Sequence, residues 1–364
     1  VSRAALWLII SAAILFSMGL LMVFNTTSAE IIDRSLAINT HTALLKQTFY
    51  GCVGILCGLI AYRCGHAFLI RWSVPLLIAG SCLLVLLFIP GIGAVINGAR
   101  RWLLIFGYSF QPSECIKILV PAVYIRWYLE QEKPIALIPF LKILAWLSIP
   151  IGLILLEPDN GTTCIILSLL ILLFFLTRVR LFYWAFPILL LISLGGVAAY
   201  HMPHVRSRLE IYIHPELDLR GKGHQPHQAK IAAGSGQLFG RGLGESLQKL
   251  NYLPEARSDY IAAIYAEETG FIGILVLIVL YMILTYAGFA IAIQTADPGS
   301  FLFASVLTFL ISMQAFLNLG IVSGLLPSKG MTLPFFSQGG TSLMVNIAIL
   351  FILLDISRKA RKIA

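Results

Sequence analysis

FIGILVLIVLYMILTYAGFAIAI, running from Phe271 to Ile293, holds no Asp, Glu, Lys, Arg or His. Wound as a helix at ~1.5 Å per residue it is ~35 Å long, enough to cross the ~30 Å hydrocarbon core of a bilayer. The rest of the chain has the same character. Of 364 residues, 59% are hydrophobic and only 12% charged, and the mean hydropathy is +0.89. A soluble domain of this length carries about twice that charged share. A soluble enzyme, a disulfide scaffold and a disordered linker are excluded.

Apolar segments recur near 4 to 24, 46 to 63, 74 to 91, 113 to 128, 137 to 155, 161 to 177, 181 to 200, 261 to 292, 300 to 322 and 341 to 356. They predict an all-α polytopic membrane protein with ten transmembrane helices, read as a single domain over 1–364 without linker or repeat. The fourth segment holds Glu114, Lys117 and Arg126, and the eighth is long enough to begin outside the hydrocarbon. The first lacks a small-residue cleavage site and is expected to be retained. An even number of spans puts both termini on one side, and the run Arg358, Lys359, Arg361, Lys362 marks that side as cytoplasmic. Arg63, Arg71, Lys133, Arg178 and Arg180 fall on the same side, giving N-in and C-in and an extracytoplasmic loop of about 201–259 between helices 7 and 8. The net charge of +9 then belongs beside anionic lipid, and nucleic acid is not an expected partner. All six cysteines lie in or beside apolar runs, where a thiol acts as a small hydrophobe. Gly54 and Gly58 form a small-xxx-small pair that reads as close helix packing.

Ionisable groups within a bilayer are costly, so those present are candidates for function. Glu114 and Lys117 stand three residues apart on one helix face, as a neutralising pair or as part of a substrate cavity. Before them, Arg100 and Arg101 follow Asn97, Gly98 and Ala99; such guanidinium groups clamp a phosphate or meet lipid headgroups. In the turn Glu157, Pro158, Asp159, Asn160, Gly161, Thr162, the Asp159 carboxylate either caps a helix or faces the same cavity as Arg101. The long loop runs through His214 to Asp218, then Gln228 and Lys230, then glycines at 234, 236, 240, 242 and 244 that allow close backbone approach to a ligand. It closes at Ser258 and Asp259, ahead of Glu267 and Glu268. Asp259 is placed to act as a half-shielded general base, or to cap the following helix. Gln314, Asn318 and the stretches 326–330 and 337–342 form another polar mouth. His201 with His204, and His224 with His227, have a metal-like spacing without clustered carboxylates, so no dedicated metal site is expected. P-loop, H-E-x-x-H and G-x-S-x-G motifs are absent.

Taken together, N-G-A-R-R-W at Asn97 to Trp102, Q-P-S-E-x-x-K at Gln111 to Lys117, P-D-N-G-T at Pro158 to Thr162, H-P-E-L-D at His214 to Asp218, Q-A-K-I-A at Gln228 to Ala232, and the long runs Gly240 to Ala256 and Gly324 to Ser342 resemble the SEDS family (shape, elongation, division and sporulation) over nearly the whole chain. The run at Gly240 is of the division type. The resemblance implies a peptidoglycan glycosyltransferase that polymerises lipid II on the outer face of the bacterial cytoplasmic membrane, at the division site, with a class B penicillin-binding protein and other division proteins as partners. It implies Asp259 as the catalytic residue, although the motif usually written H-T-D-F here reads Arg257, Ser258, Asp259, Tyr260. It also implies substrate contacts by Arg101, Glu114, Lys117, Asp159, Gln228, Lys249 and Ser342, and help from Mg or Mn ions held mainly by the substrate diphosphate. Two other readings use the same cavity: a transporter that flips lipid II between leaflets, and a scaffold without chemistry.

Overall fold

The computed structural model describes residues 2–34, 41–96, 99–132, 134–189, 223–249, 257–327 and 330–363. Its helices are α1 (Arg3–Arg34), α2 (His41–Cys64), α3 (His66–Arg71), α4 (Ser73–Leu87), α5 (Pro112–Leu129), α6 (Leu137–Leu156), α7 (Asn160–Leu176), α8 (His224–Ser235), α9 (Ile261–Ile293), α10 (Pro298–Val322) and α11 (Gly340–Ile363). A further helical stretch occupies 181–189, the described half of the segment expected to span 181 to 200. Among the described residues, six helices are long and apolar enough to cross a membrane: Arg3–Ser28 of α1, α2, α6, α9, α10 and Gly340–Ala360 of α11. Helices α4 and α7 are apolar but shorter, and α5 carries the charges that its sequence announced. The chain is a predominantly helical, multi-pass membrane protein.

Helix burial sorts the bundle into inner and lipid-facing members. In α10, 67% of the span is buried, against 28% in α2; α2 therefore shows most of its apolar surface to lipid. The glycines of α2 let it press against α11. A Cβ at Gly54 would come within 3.0 Å of Met344 and Ile347, and one at Gly58 within 2.3 Å of the Phe351 ring. The pair read as a close-packing motif thus lies in that interface.

The expectation of an all-α chain needs one correction. Between α4 and α5 run three antiparallel strands in the order β1-β2-β3: β1 (Gly93–Ile96), β2 (Ala99–Ile105) and β3 (Tyr108–Phe110). Ile105 pairs with Tyr108 across Phe106 and Gly107, whose φ of 50° and 82° belong to the two-residue turn whose twist matches that of paired strands. In β2 Ala99 and Leu103 point inward and Arg100 and Leu104 outward, the two-residue period of a strand covered on one face. A hydropathy window of about 19 residues averages such alternation away.

Helix α9 is long, as expected of the eighth apolar segment, but it is broken. Gly270 has φ 69° and ψ −166°, which opens the backbone ladder. Residues 237–242 fill the gap: Arg241 N donates to Glu267 O at 3.0 Å, Gly242 N to Glu268 O at 3.0 Å, Phe271 N to Gln237 O at 2.8 Å and Ile272 N to Leu238 O at 3.2 Å. Backbone groups freed at membrane depth need such partners. Only glycine fits, since a Cβ at Gly270 would lie 2.3 Å from Gly240 N.

Candidate functional site

At the end of the bundle that bears the sheet lies a cavity of about 1220 Å³. Its wall draws on α2, the sheet, α5, the turn before α7, α8, the residues before α9, and the segment leading into α11. Arg101, Glu114, Lys117, Asp159, Asp259 and Ser342 all line it. Residues separated by up to 241 positions in sequence thus face one space.

Asp259 sits half-buried one residue before the Tyr260 cap of α9, a cap without a side-chain hydrogen bond. Its backbone is pinned from two elements. Asn318, fully buried in α10, donates to Asp259 O at 2.9 Å and reaches Met331 O at 2.6 Å, and Gln338 N donates to Arg257 O at 2.9 Å. Gly330 leaves room beside the carboxylate, for a Cβ there would stand 3.3 Å from Asp259 Oδ2.

Lys117 Nζ lies 2.7 Å from Glu114 Oε2, with both side chains nearly inaccessible. The two charges offset one another in the cavity wall. Asp159 does cap α7: Thr162 N donates to Oδ1 at 3.2 Å and Thr162 Oγ1 to Oδ2 at 2.8 Å. The same carboxylate also takes a bond from Gln111 Nε2 at 3.2 Å and faces Arg101 at 3.9 Å, so both roles considered for it coexist. Arg101 in turn donates from Nε to Glu157 O at 3.1 Å and from its terminal nitrogen to Pro158 O. The guanidinium is oriented by the turn, with one edge toward the cavity.

Two expected contacts lie elsewhere. Lys249 is absent from the cavity wall; its ammonium meets Glu268 Oε1 at 3.0 Å, Asn25 Oδ1 at 2.8 Å and Gly244 O, which consumes its three donors in fastening the loop to α1 and α9. Gln228 is on α8, whose Gln225, Pro226 and Lys230 line the cavity while Gln228 does not. His201, His204, His214 to Asp218, and the residues at 97–98, 133, 250–256 and 328–329 are outside the described residues.

Other lining residues went unmarked in the sequence. Lys46, Gln47 and Tyr50 of α2 all face the cavity; Gln47 donates to Ser337 O at 3.0 Å and Tyr50 to Ser109 O at 3.0 Å. Their signal was a lysine and a glutamine at the head of an apolar span, four and three residues from a tyrosine on the same face. Glu157, taken only as part of a turn, is 2% exposed, and neither carboxylate oxygen has a hydrogen-bond partner. Burial, reinforced by the Asp159 carboxylate and opposed by Arg101, pushes its carboxyl up to about 8.

At the opposite end a Ser-His-Asp series has the spacing of a nucleophilic triad: His66 lies 2.8 Å from Asp355 and 2.7 Å from Ser300 Oγ. Ser300 is 4% exposed, however, and its Oγ also binds the Asp297 cap of α10 at 2.7 Å. It ties α3, α10 and α11 together.

A family model described as "cell cycle protein", spanning FtsW, RodA and SpoVE, matches residues 5–362. The chain belongs to that family. It is 38% identical to a "probable peptidoglycan glycosyltransferase FtsW" of Legionella pneumophila, over 98% of this chain and 91% of the relative. Identity to the stage V sporulation protein E of Bacillus subtilis is 34%, covering 98% and 97%. Among solved structures, a chain of a peptidoglycan synthase complex that coordinates polymerisation and crosslinking superposes with a TM-score of 0.77 at 25% identity, covering 97% of each chain. The rod shape determining protein RodA of Thermus thermophilus gives 0.70 at 25% identity, covering 97% and 96%. In an FtsW/RodA/SpoVE chain, a cavity with one carboxylate at its rim, an oriented guanidinium and a buried ion pair suits a substrate carrying hydroxyls and phosphates.

Proposed function

We propose that the chain is a peptidoglycan glycosyltransferase that polymerises lipid II during division, with Asp259 as general base. The observation that carries this reading is Asp259 itself, pinned through its backbone by Asn318 at the rim of a cavity that also holds Arg101 and the Glu114/Lys117 pair. Full-length relatives named as glycosyltransferases support it.

The Asp259 carboxylate takes the proton of a sugar 4-hydroxyl as that oxygen bonds to the anomeric carbon of a second lipid-linked disaccharide. The bond from that carbon to the diphosphate oxygen breaks with its electron pair, so undecaprenyl diphosphate leaves and the anomeric configuration inverts. Arg101 and Lys117 offset the charge on the departing diphosphate, so no general acid is required. Glu114, Asp159 and Ser342 accept from or donate to sugar and peptide groups. Among the described residues no three His, Cys, Asp or Glu side chains cluster as metal ligands, and Glu114 and Asp159 are each engaged. An assisting Mg or Mn ion would be held mainly by the substrate diphosphate, whose charge it would offset.

The finer topology belongs to the same reading: ten spans, N-in and C-in, with the cavity open to the outer leaflet of the bacterial cytoplasmic membrane at the division site. A class B penicillin-binding protein is the partner that crosslinks the product. The test is glycan synthesis from purified lipid II by the chain co-purified with its transpeptidase, wild type against Asp259→Asn. A ladder lost by about 10³-fold in the variant is expected for a missing base. A ladder of equal intensity refutes Asp259 as base, and no ladder from folded wild-type complex favours flipping or scaffolding.

A further inference from the structure

The cavity has a lip between α2 and the hairpin turn that the proposed chemistry leaves unused. On its inner side, Lys46 of α2 and Leu104 and Gly107 of the sheet line the cavity. On its outer side, Leu45 is 66% exposed, Phe49 44% and Phe106 99%. The two sides are joined through rings: Phe49 stacks on Tyr108 at 4.4 Å between centroids, and Tyr50 meets Tyr108 edge-on at 5.6 Å. The lip is cationic where it meets the cavity and apolar where it leaves it.

Depth says what such a lip meets. Helix α2 has 24 residues, so it is ~36 Å long and slightly exceeds the ~30 Å hydrocarbon core. Lys46 lies five residues after His41, ~7.5 Å from the helix end, close to the boundary between acyl chains and headgroups, and its flexible stem carries the ammonium to that boundary. A prenyl lipid keeps its diphosphate at this level, with the sugar on the aqueous side and the isoprenoid on the other. Phe106, on a left-handed turn, is 99% exposed among the described residues, and exposed apolar surface of this kind marks a contact made with something else.

We propose that Leu45, Lys46, Phe49 and Phe106 form a lateral port through which a polyprenyl-diphosphate-linked sugar slides from the bilayer into the cavity, Lys46 steering the diphosphate and the rings of Phe49 and Phe106 reading the prenyl chain. This deepens the proposed function, resting on its lipid-linked substrate class, and it makes the hairpin tip a determinant of chain-length preference. An ordinary membrane anchor or a docking site for a partner protein would use the same phenylalanine without reading the substrate's chain.

Binding separates the port from turnover. Dissociation constants of a disaccharide diphosphate bearing eleven or three isoprene units are measured on the full chain with its partner, in detergent, for wild type, Phe106→Ser and Lys46→Met. Phe106→Ser is expected to weaken the long-chain compound about tenfold, as loss of a partly buried ring predicts, and to leave the short-chain constant within about twofold. Lys46→Met should weaken both compounds by similar factors, while the retained short-chain binding of Phe106→Ser shows that this variant is folded. Equal effects of Phe106→Ser on both compounds, or on neither, overturn the proposal. Glycan synthesis is read separately: its absence in wild type counts against the proposed function, whereas the binding ratio alone decides the port.

Discussion

Glu157→Gln should stabilise the protein, and increasingly so as pH rises. The carboxyl is 2% exposed without a partner for either oxygen, and it titrates near 8 in the fold against an ordinary value of 4.5. Below pH 4.5 the group is protonated in both folded and unfolded chains and contributes no pH dependence. Between 4.5 and about 8 the unfolded chain releases its proton while the folded one retains it, so the unfolded state binds fewer protons and stability falls with rising pH. Above that range the deficit is constant. At ~1.4 kcal/mol per pK unit the displacement sets a ceiling of ~5 kcal/mol; relaxation and water penetration reduce it, and ~2 kcal/mol is the expected scale. Gln has nearly the same shape and no charge to bury. The assay is thermal unfolding in detergent from pH 5 to pH 9 for wild type and variant. The gap between the two midpoints should widen across this range and level off at its upper end. A gap that stays constant, or one that favours wild type at high pH, would refute the account of Glu157 as a proton-holding buried acid.

Two further outcomes follow from buried contacts. Lys117→Met leaves Glu114 as an uncompensated buried charge and should cost ~3–5 kcal/mol in stability; adding Glu114→Gln should recover most of that loss, as measured by unfolding of single and double variants, while neither restores glycan synthesis. Gly270→Ala forces a side chain into a left-handed backbone and against Gly240 N at 2.3 Å. A loss of at least ~2 kcal/mol is expected, with faster proteolytic cleavage within 236–242; unchanged cleavage would show that the break survives.

The six long apolar helices were legible because a long charge-free run has few alternatives in water, and Phe271 to Ile293 fixed the class of the molecule unaided. Glu114 and Lys117 were legible as a pair because helical spacing is local. What escaped depends on distant partners. The sheet is three short strands hidden within a membrane-scale average, and its sign was the alternation from Ala99 to Ile105. The break at Gly270 is written in no local pattern, since it exists only because residues 237–242 return to bond there. Lys46 carries no local mark of function, since it lines the cavity only through the sheet that lies across from it. Lys249 stood in a motif of the family, yet its donors are satisfied by Glu268 and Asn25, which no reading of spacing reveals.

The interrupted ladder at Gly270 carries a message about biogenesis. Residues 237–242 precede the span 271–293 in synthesis and bond to it on either side of the break. The bonds to Glu267, Glu268, Phe271 and Ile272 close only if both segments reach the same side at the same depth. A chain inserted with a neighbouring span missed would leave these backbone groups unanswered in lipid, at several kcal/mol for each. The half-turns carrying Asp259 would lose their anchorage as well. The break thus ties the order of the residues around the cavity to the return of residues 237–242 onto α9.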